Sequence, residues 1–366
     1  MQNNSDCDQP QITSLEEIGW DKEWDLIFSP YKGPYISGRV ATAHKTKYDV
    51  LIPGEIISLP ISGVMRSKNL HPVVGDFVVI LNQDPTSRMI VSILDRRTCL
   101  SRGGAGESTG EQILAANIDT AFIVTDPGMD FNISRIERYL LIVRSSGAEP
   151  VIILNKTDTC DDTTSKINEI HTELGHIPVV AISALQNTGL DQLKEYLKPG
   201  KTIIFLGSSG VGKSTLMNAL SGFNLQQTES IREDDGKGRH TTTVRHLIVL
   251  PSKCSLIDTP GLREIRIWTA EDQVEELFQD IIRIARGCRF SDCSHQQEPG
   301  CAVRQAIDNG ELLESRLERY RKILKEMSFE REKAEIGLKR FEKKKFKGIS
   351  QLAHELHESP KWKAQR

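Results

Sequence analysis

Gly207-Ser208-Ser209-Gly210-Val211-Gly212-Lys213-Ser214 stands between an apolar run, residues 202–206, and a segment of helical period, residues 213–220. A strand, a glycine-rich loop ending in Gly-Lys-Ser and a helix, in this order, are typical of a phosphate-binding loop. The glycines let backbone N–H groups close around a β-phosphate, and the helix N-terminus adds its dipole. We therefore expect Lys213 to reach the β- and γ-phosphates and Ser214 to bind Mg²⁺. A plain glycine turn is the less favoured alternative.

Apolar runs and helical periods alternate on both sides of this loop. The runs are residues 121–124, 151–154, 179–182 and 202–206, and the helical periods are 133–145, 163–174, 190–197 and 213–220. Continuous apolar strands joined by helices predict a mostly parallel sheet covered on both faces. Residues 246–250 and 255–257 add two strands. From about residue 271 the pattern is helical, apart from a cysteine cluster.

A base-reading motif, Asn155-Lys156-Thr157-Asp158, ends one predicted strand. A carboxylate at Asp158 can accept from both N1–H and the exocyclic amine of guanine, a donor pair that adenine lacks. Asn155 can bond the N7/O6 edge, and the Lys156 stem can lie on the ring. Backbone N–H groups of Ser183-Ala184, at the end of the next strand, can meet O6. Each motif taken alone is also compatible with a solvated turn.

A magnesium motif, Asp258-Thr259-Pro260-Gly261, ends another strand. Asp258 is predicted to hold Mg²⁺ through water, and the Gly261 amide to sense the γ-phosphate. A threonine of residues 241–243, assigned as Thr242, is predicted to complete the Mg²⁺ shell. The predicted GTP-binding residues are Asn155, Lys156, Thr157, Asp158, Ser183, Ala184, Gly207, Ser208, Ser209, Gly210, Val211, Gly212, Lys213, Ser214, Thr215, Asp258 and Gly261.

The segment from residue 31 to about 97 has a different texture, of short alternating stretches broken by Gly and Pro. About five strands in this length indicate either a small closed β-barrel or a β-sandwich. A polar lead with one amphipathic piece, residues 15–28, precedes it. Residues 101–110, rich in Gly and Ser, predict a hinge to the α/β region.

Cysteine usage indicates a metal site. Seven cysteines, an odd number in a chain whose start shows no secretory pattern, argue for a reducing cytoplasm rather than a disulfide framework. Cys288, Cys293, His295 and Cys301 offer three thiolates and one imidazole, which satisfy tetrahedral zinc with no open position. Free thiols are the alternative, since the spacing is not that of a common zinc finger.

The composition of the chain limits the class of protein to which it can belong. The chain has 366 residues, 38% hydrophobic and 27% charged, which predicts two or three folded domains and excludes a disordered chain. No apolar run approaches the length of a membrane span. The net charge of -3 gives no overall attraction to nucleic acid. However, residues 311–347 carry thirteen Lys/Arg against eight Asp/Glu, which indicates either an RNA contact or a solvated helix face.

Together these are the five motifs of a GTPase in an unusual order, because the guanine-reading pair precedes the phosphate loop. Over residues 19–347 the sequence resembles the RsgA family, circularly permuted bacterial GTPases of small ribosomal subunit biogenesis. The resemblance implies an OB-fold barrel at 31–100 after an N-terminal extension, 1–30. It implies a permuted GTPase domain at 111–272 and a helical zinc-binding domain with a basic tail at 273–366. It also implies one structural zinc ion on the Cys₃His cluster.

The resemblance implies a cytoplasmic, monomeric assembly factor that uses GTP and Mg²⁺ in late maturation of the 30S subunit, binds rRNA and avoids membranes. Lys213, Thr242 and His240 are the catalytic candidates, because Leu262 stands where a water-positioning glutamine is expected. Turnover should be slow alone and stimulated by the subunit. Candidate phosphate contacts on the barrel are Arg39, Lys45, Lys47, Arg66 and Lys68. Two alternatives remain: a GTPase acting on the large subunit or tRNA, and an RNA-binding module with GTP as a structural ligand.

Overall fold

The computed structural model describes residues 12–103, 111–221, 245–258 and 271–336. The chain divides into two compact units, one formed by residues 1–101 and 113–265 and the other by residues 102–112 and 266–366. None of the described helices is both long enough and apolar enough to cross a membrane.

Five strands form a closed barrel at the start of the first unit. They are β1 (Tyr35–Ala43), β2 (Tyr48–Ile52), β3 (Glu55–Leu59), β4 (Phe77–Leu81) and β5 (Met89–Ile93). β1 pairs antiparallel with β2 and β4, β2 pairs with β3, and β4 pairs with β5. A parallel bridge between Ile61 and Ile90 closes the ring, and the short helix α2 (Gly63–Ser67) connects β3 to β4. This five-stranded closure is an OB-fold, so of the two sequence alternatives the barrel is confirmed.

The amphipathic lead folds against the barrel. It contains a 3₁₀-helix (Glu16–Ile18) and helix α1 (Lys22–Phe28), which Asp21 caps by accepting from two backbone N–H groups. Trp24 is buried and its ring lies 4.6 Å from that of Phe77 on β4. Burial of these aromatic rings attaches the extension to the barrel wall.

Six further strands form the α/β part of the first unit. They are β8 (Thr120–Thr125), β9 (Glu149–Leu154), β10 (Val179–Ala181), β11 (Thr202–Leu206), β12 (His246–Val249) and β13 (Ser255–Asp258). Their order is β10-β9-β8-β11-β13-β12, and all but β12 are parallel. A two-stranded ribbon, β6 (Cys99–Gly103) and β7 (Glu111–Ala116), precedes them. The predicted hinge therefore begins inside a strand, and its residues 104–110 lie outside the described part.

Helices cover both faces of this sheet. α3 (Ile133–Ser146) and α4 (Thr163–Leu174) pack on one face, and α5 (Lys213–Ser221) packs on the other. Successive strand residues divide between the two cores, as Ile123 joins the first and Phe122 the second. The predicted helix at 190–197 is wrong in length: only a 3₁₀-helix (Leu190–Leu193) forms, and the chain turns before Pro199-Gly200, which cannot continue it.

Arg39 joins the barrel to the α/β sheet. Its side chain is 1% exposed and donates to Thr202 Oγ1 (2.8 Å) and to the carbonyl oxygens of Ile18 (2.5 Å), Asn117 (2.9 Å) and Gly75 (3.1 Å). The expectation that Arg39 contacts RNA phosphates is therefore wrong, because its donors are used inside the protein. The other four basic residues of that set are exposed.

The second unit is helical, as its sequence pattern predicts. It contains α6 (Glu271–Leu277), α7 (Gln279–Ala285), α8 (Ala302–Asp308) and α9 (Glu314–Ile336). Arg316 of α9 donates to the Asp280 carboxylate at 3.1 Å and to the Leu277 carbonyl at 2.7 Å, and its guanidinium lies 4.3 Å from the centroid of the Phe278 ring. These contacts fasten the long helix to α6 and α7.

Candidate functional site

The phosphate loop follows β11 and is shaped by glycines that no other residue can replace. Gly207 and Gly212 have φ angles of 143° and 94°. A Cβ on Gly207 would lie 2.3 Å from the Val124 carbonyl oxygen, and one on Gly212 would lie 2.3 Å from Asn155 Nδ2. Since both approaches are far below van der Waals contact, the loop can lie this close to β8 and β9 only with glycine at these positions.

Lys213 and Ser214 open helix α5 directly after the loop. Lys213 Nζ donates to the carbonyl oxygens of Gly207 (2.7 Å) and Ser208 (2.5 Å), which holds the ammonium against the start of the loop. Asp258 is the last residue of β13, the parallel neighbour of β11. The lysine, the hydroxyl and the carboxylate predicted for phosphate and magnesium therefore follow neighbouring strands at one sheet edge.

Asn155 connects the phosphate loop to the predicted base site. Its Nδ2 donates to the Val211 carbonyl at 2.8 Å, and its Oδ1 accepts from the Ala184 backbone N–H at 3.0 Å. The side chain is 1% exposed. The sequence interpretation gave Asn155 a direct contact with the base edge, whereas these contacts give it the task of holding two binding segments together.

The neighbouring residues of the motif are held beside the phosphate loop and the end of β10. Lys156 has a left-handed backbone, φ 61°, and its Nζ donates to the Gly210 carbonyl at 2.7 Å. The Thr157 backbone N–H donates to the Ile182 carbonyl at 3.1 Å, which holds the motif beside Ser183. Asp158 is exposed, and its carboxylate has no hydrogen-bond or ion-pair partner among the described residues. An acceptor without a protein partner is therefore available at the end of β9.

Three polar residues after β8 belong to the same edge and were missed by sequence reasoning. Asp126 Oδ2 lies 3.2 Å from Lys156 Nζ, and Asp126 Oδ1 accepts from the Asp130 backbone N–H at 3.2 Å. Arg135 of α3 pairs with Asp130 and donates to the Ser208 hydroxyl. The only signal in the sequence was Asp126-Pro127-Gly128 at a strand end, a common turn composition.

Three predicted residues, His240, Thr242 and Gly261, lie outside the described residues, as does Leu262. Their assigned roles therefore stay predictions. Thr215 is exposed on the first turn of α5.

The cysteine cluster forms a compact set of possible metal ligands in the second unit. The ligand atoms of Cys288, Cys293, His295 and Cys301 all lie within 4.8 Å of one another. His295 Nδ1 is 3.6 Å from Cys288 Sγ and 3.5 Å from Cys301 Sγ, and these two sulfurs are 4.0 Å apart. Zinc–ligand bonds of ordinary length in a tetrahedron give edges of about 3.5 to 3.8 Å. The donor set therefore suits zinc, and the three quoted separations lie close to these edges.

Hydrogen bonds around the cluster hold its loop in place. The His295 carbonyl accepts from Arg304 Nε at 2.7 Å and also from Arg321. Burial, together with the nearby Arg321 charge, lowers the pKa of His295, and so favours the neutral imidazole that a metal needs. Hydrogen bonds from Ser294, with backbone N–H donors of the same loop, lower the pKa of Glu298 to about 2. The carboxylate thus stays charged and keeps the loop folded around His295.

Comparisons with known proteins identify the family of the GTPase part. A family model described as RsgA GTPase matches residues 93–268, and one described as ABC transporter matches residues 190–347, a range that includes the phosphate loop. A Methanosarcina acetivorans protein described as small ribosomal subunit biogenesis GTPase RsgA is 53% identical over 91% of this chain and 90% of its own length.

Two solved structures are also similar. YjeQ from Thermotoga maritima is 32% identical with a TM-score of 0.59, covering 80% of this chain and 98% of that one. YloQ, titled a circularly permuted GTPase, is 27% identical with a TM-score of 0.55, covering 80% and 95%. The Methanosarcina relative is 53% identical over nine tenths of the chain, and here the phosphate loop follows the Asn155-Lys156-Thr157-Asp158 motif along the chain. The chain therefore belongs to the RsgA GTPase family and is a GTP-hydrolysing enzyme.

Proposed function

We propose that this GTPase acts in late assembly of the small ribosomal subunit, and that docking on the subunit stimulates its turnover. The proposal is supported by the name of the Methanosarcina relative, which aligns with almost the whole chain. One structural observation carries the nucleotide part. Asn155 joins the phosphate loop at Val211 to Ala184, while the carboxylate of Asp158 is exposed beside them.

The predicted binding residues then contact different parts of the nucleotide. Asp158 reads the guanine donors, backbone N–H groups of residues 207–212 and the Lys213 ammonium bind phosphate oxygens, and Ser214 and Asp258 hold magnesium with Thr242. When bound there, Mg²⁺ would supply positive charge that offsets the charge of the phosphate oxygens. Lys213 already lies against the Gly207 and Ser208 carbonyls, so little rearrangement is needed to bring it to the phosphates.

We assign His240 to the orientation of the attacking water, since Leu262 has no group that can hydrogen-bond to it. Without a glutamine at that position, hydrolysis by the protein alone should be slow. The ribosomal subunit would supply the contacts that bring His240 into place.

The Cys₃His cluster is proposed to hold one structural zinc ion. Four protein ligands leave no open position for water, so the ion closes the helical unit rather than taking part in hydrolysis. The described core of this unit is small, being formed around Phe278, Ile281, Val303 and Leu317. A metal bound in the folded state adds its binding free energy to the stability of such a unit.

The barrel is proposed to contact rRNA through exposed cations in its loops, Lys45 and Lys47 after β1 and Arg66 and Lys68 at α2. The basic stretch that continues beyond α9 would add further phosphate contacts, and binding of this kind weakens as salt rises. A ribosomal partner also implies a cytoplasmic protein, and we propose that it works as a monomer without membrane contact.

GTP turnover measured alone, with small subunits and with large subunits tests the proposal. Stimulation by small subunits only is expected. Stimulation by large subunits would favour another RNA assembly, and tight GTP binding without turnover in any mixture would favour a structural nucleotide. Lys45→Gln/Lys47→Gln should weaken stimulation at moderate salt, whereas Lys194→Gln/Lys198→Gln, an equal loss of two charges from exposed positions on the α/β part, should not.

A further inference from the structure

Arg135 reaches the phosphate loop from a helix that carries none of the GTPase motifs. It lies in the first turn of α3, where its backbone N–H donates to the capping Asn132 side chain at 2.9 Å. Its Nη1 donates both to the Asp130 carboxylate and to the hydroxyl of Ser208. Ser208 is the second residue of the phosphate loop, so this nitrogen joins segments 73 positions apart in the chain.

The same segment holds the loop at a second point. The Asp130 backbone N–H donates to Asp126 Oδ1 at 3.2 Å, and Asp126 Oδ2 lies 3.2 Å from Lys156 Nζ. Lys156 Nζ in turn donates to the Gly210 carbonyl at 2.7 Å. The phosphate loop is thus connected to residues 126–135 at Ser208, through Arg135, and at Gly210, through Lys156.

The contacts of Arg135 with Asp130 and Ser208 are partly shielded from solvent. The Asp130 side chain is 18% exposed and that of Arg135 41% exposed. Hydrogen bonds to a charged donor are stronger than neutral ones. A guanidinium nitrogen directs its two N–H bonds at fixed angles, so it can hold both acceptors at once, whereas the ammonium of a lysine lacks this fixed geometry.

We propose that Arg135 is a positioning residue for nucleotide binding: it fixes Ser208 so that the phosphate loop is already formed before GDP or GTP arrives. A loop that is ordered beforehand loses less conformational entropy on binding. Without Arg135 the nucleotide must order the loop itself. The affinities for GDP and GTP should therefore fall together and KM should rise, while kcat at saturating GTP should be retained.

This inference rests on the proposed nucleotide site, so GDP binding by the wild-type protein is measured first. A wild type that binds neither GDP nor GTP contradicts the site itself. Once wild-type binding is established, the variants to compare are Arg135→Gln, Ser208→Ala and the double variant. Arg144→Gln is the matched control: Arg144 lies about 13 Å further along the same helix, and no hydrogen bond or ion pair joins it to the described phosphate loop.

Each single variant should bind GDP about tenfold more weakly than wild type, as expected for loss of a charge-assisted hydrogen bond. The double variant should be no more than about twofold weaker than either single variant, because both remove the same contact. Arg135→Lys should recover part of the affinity, and Arg144→Gln should bind as wild type does.

Unchanged GDP affinity in a folded Arg135→Gln protein would overturn the inference. So would additive losses in the double variant, since Arg135 would then act elsewhere than on Ser208. If Arg135→Gln does not fold, Ser208→Ala still decides the matter, because it removes only the accepting hydroxyl: wild-type affinity in that variant also overturns the proposal.

Discussion

The hydroxyl of Thr42 and Nδ1 of His246 lie 3.0 Å apart, where the first strand of the barrel pairs with the antiparallel strand of the α/β sheet. On its other side, His246 pairs with Asp258, the predicted magnesium ligand. Thr42, His246 and Asp258 therefore form a row of paired residues that runs from the barrel to the predicted nucleotide site. We expect this row to couple the barrel to the α/β part, and a substitution at Thr42 tests that expectation.

Removing this hydroxyl should weaken the coupling without harming either domain. In Thr42→Val the shape of the side chain is kept and one hydrogen bond is lost, which is worth about 1 kcal/mol, or roughly fivefold in an equilibrium. We expect stimulation by small subunits to fall by about that factor, while unstimulated turnover and GDP affinity stay as in wild type. Turnover measured across a subunit titration checks this. Thr86→Val, in the β4–β5 loop, is the control, and equal stimulation in both variants would exclude the route.

Base selection should depend on Asp158. In Asp158→Asn the side chain can accept from only one of the two guanine donors and presents a donor of its own, a mismatch that costs a few kcal/mol. GTP affinity should fall by on the order of a hundredfold, and preference should move to xanthosine triphosphate. Competition titrations with both nucleotides measure this. Asp161→Asn, an exposed neighbour, should bind GTP normally. Normal GTP binding by Asp158→Asn would assign base reading to another residue.

Local signals accounted for the strands and motifs of the site. The apolar runs became β8 to β11, because burial on both faces of a parallel sheet requires continuous apolar residues. The phosphate loop was predicted because its chemistry is local. The prediction that Arg39 contacts RNA phosphates was wrong, because the local sequence around an arginine does not show whether its side chain is buried. Its partners, such as Thr202, come from segments up to 163 positions away.

The contacts of Asp126 and Arg135 were missed for the same reason. Each residue alone is ordinary turn or helix composition, and only the fold brings them to the phosphate loop. The pairing of β1 with β12 likewise depends on a single residue pair, Thr42 with His246, and no periodic pattern in the sequence predicts it.

The metal cluster should determine the stability of the second unit. Cys293→Ala should lose zinc and lower the thermal midpoint of the helical unit, since sites of this kind rarely hold their fold without metal. Nucleotide binding should survive, because no ligand belongs to the GTPase motifs. Elemental analysis and calorimetry measure both effects. Cys160→Ala, which removes a half-buried thiol in the first unit, should keep its zinc. Absence of zinc from the wild-type protein would contradict the site.

A surface ion pair should contribute stability only above acidic pH. Hydrogen bonding to Arg97 lowers the pKa of Asp21 from 3.8 to about 2, so the stabilisation is present above pH 4 and is lost as the pH falls through 2. Asp21→Asn removes the charge but keeps a side chain that can cap α1. It should unfold more easily at pH 7, by at most about 1 kcal/mol because the pair is partly exposed. Urea titrations should show this difference shrinking as the pH falls from 4 through 2, and a constant difference would rule out the ion pair as its cause.

Catalysis should depend on His240 only when the subunit is bound. With Leu262 after the Asp258 motif, the protein has no water-positioning side chain there, so unstimulated hydrolysis should be slow and His240→Ala should hardly change it. The variant should bind GTP and small subunits normally but lose about a hundredfold or more of the stimulated rate, as expected for a positioned polar catalytic group.

The decisive measurement is turnover of His240→Ala at saturating small subunit, with binding of both partners measured separately. His44→Ala, an exposed barrel histidine paired with Asp49, is the control and should keep the stimulated rate if its role is confined to that pair. High salt should abolish stimulation of the wild type, because docking depends on cations that contact RNA phosphates. If His240→Ala turns over as fast as wild type under saturation, the histidine has no catalytic role, and the group that activates water must come from the ribosomal subunit.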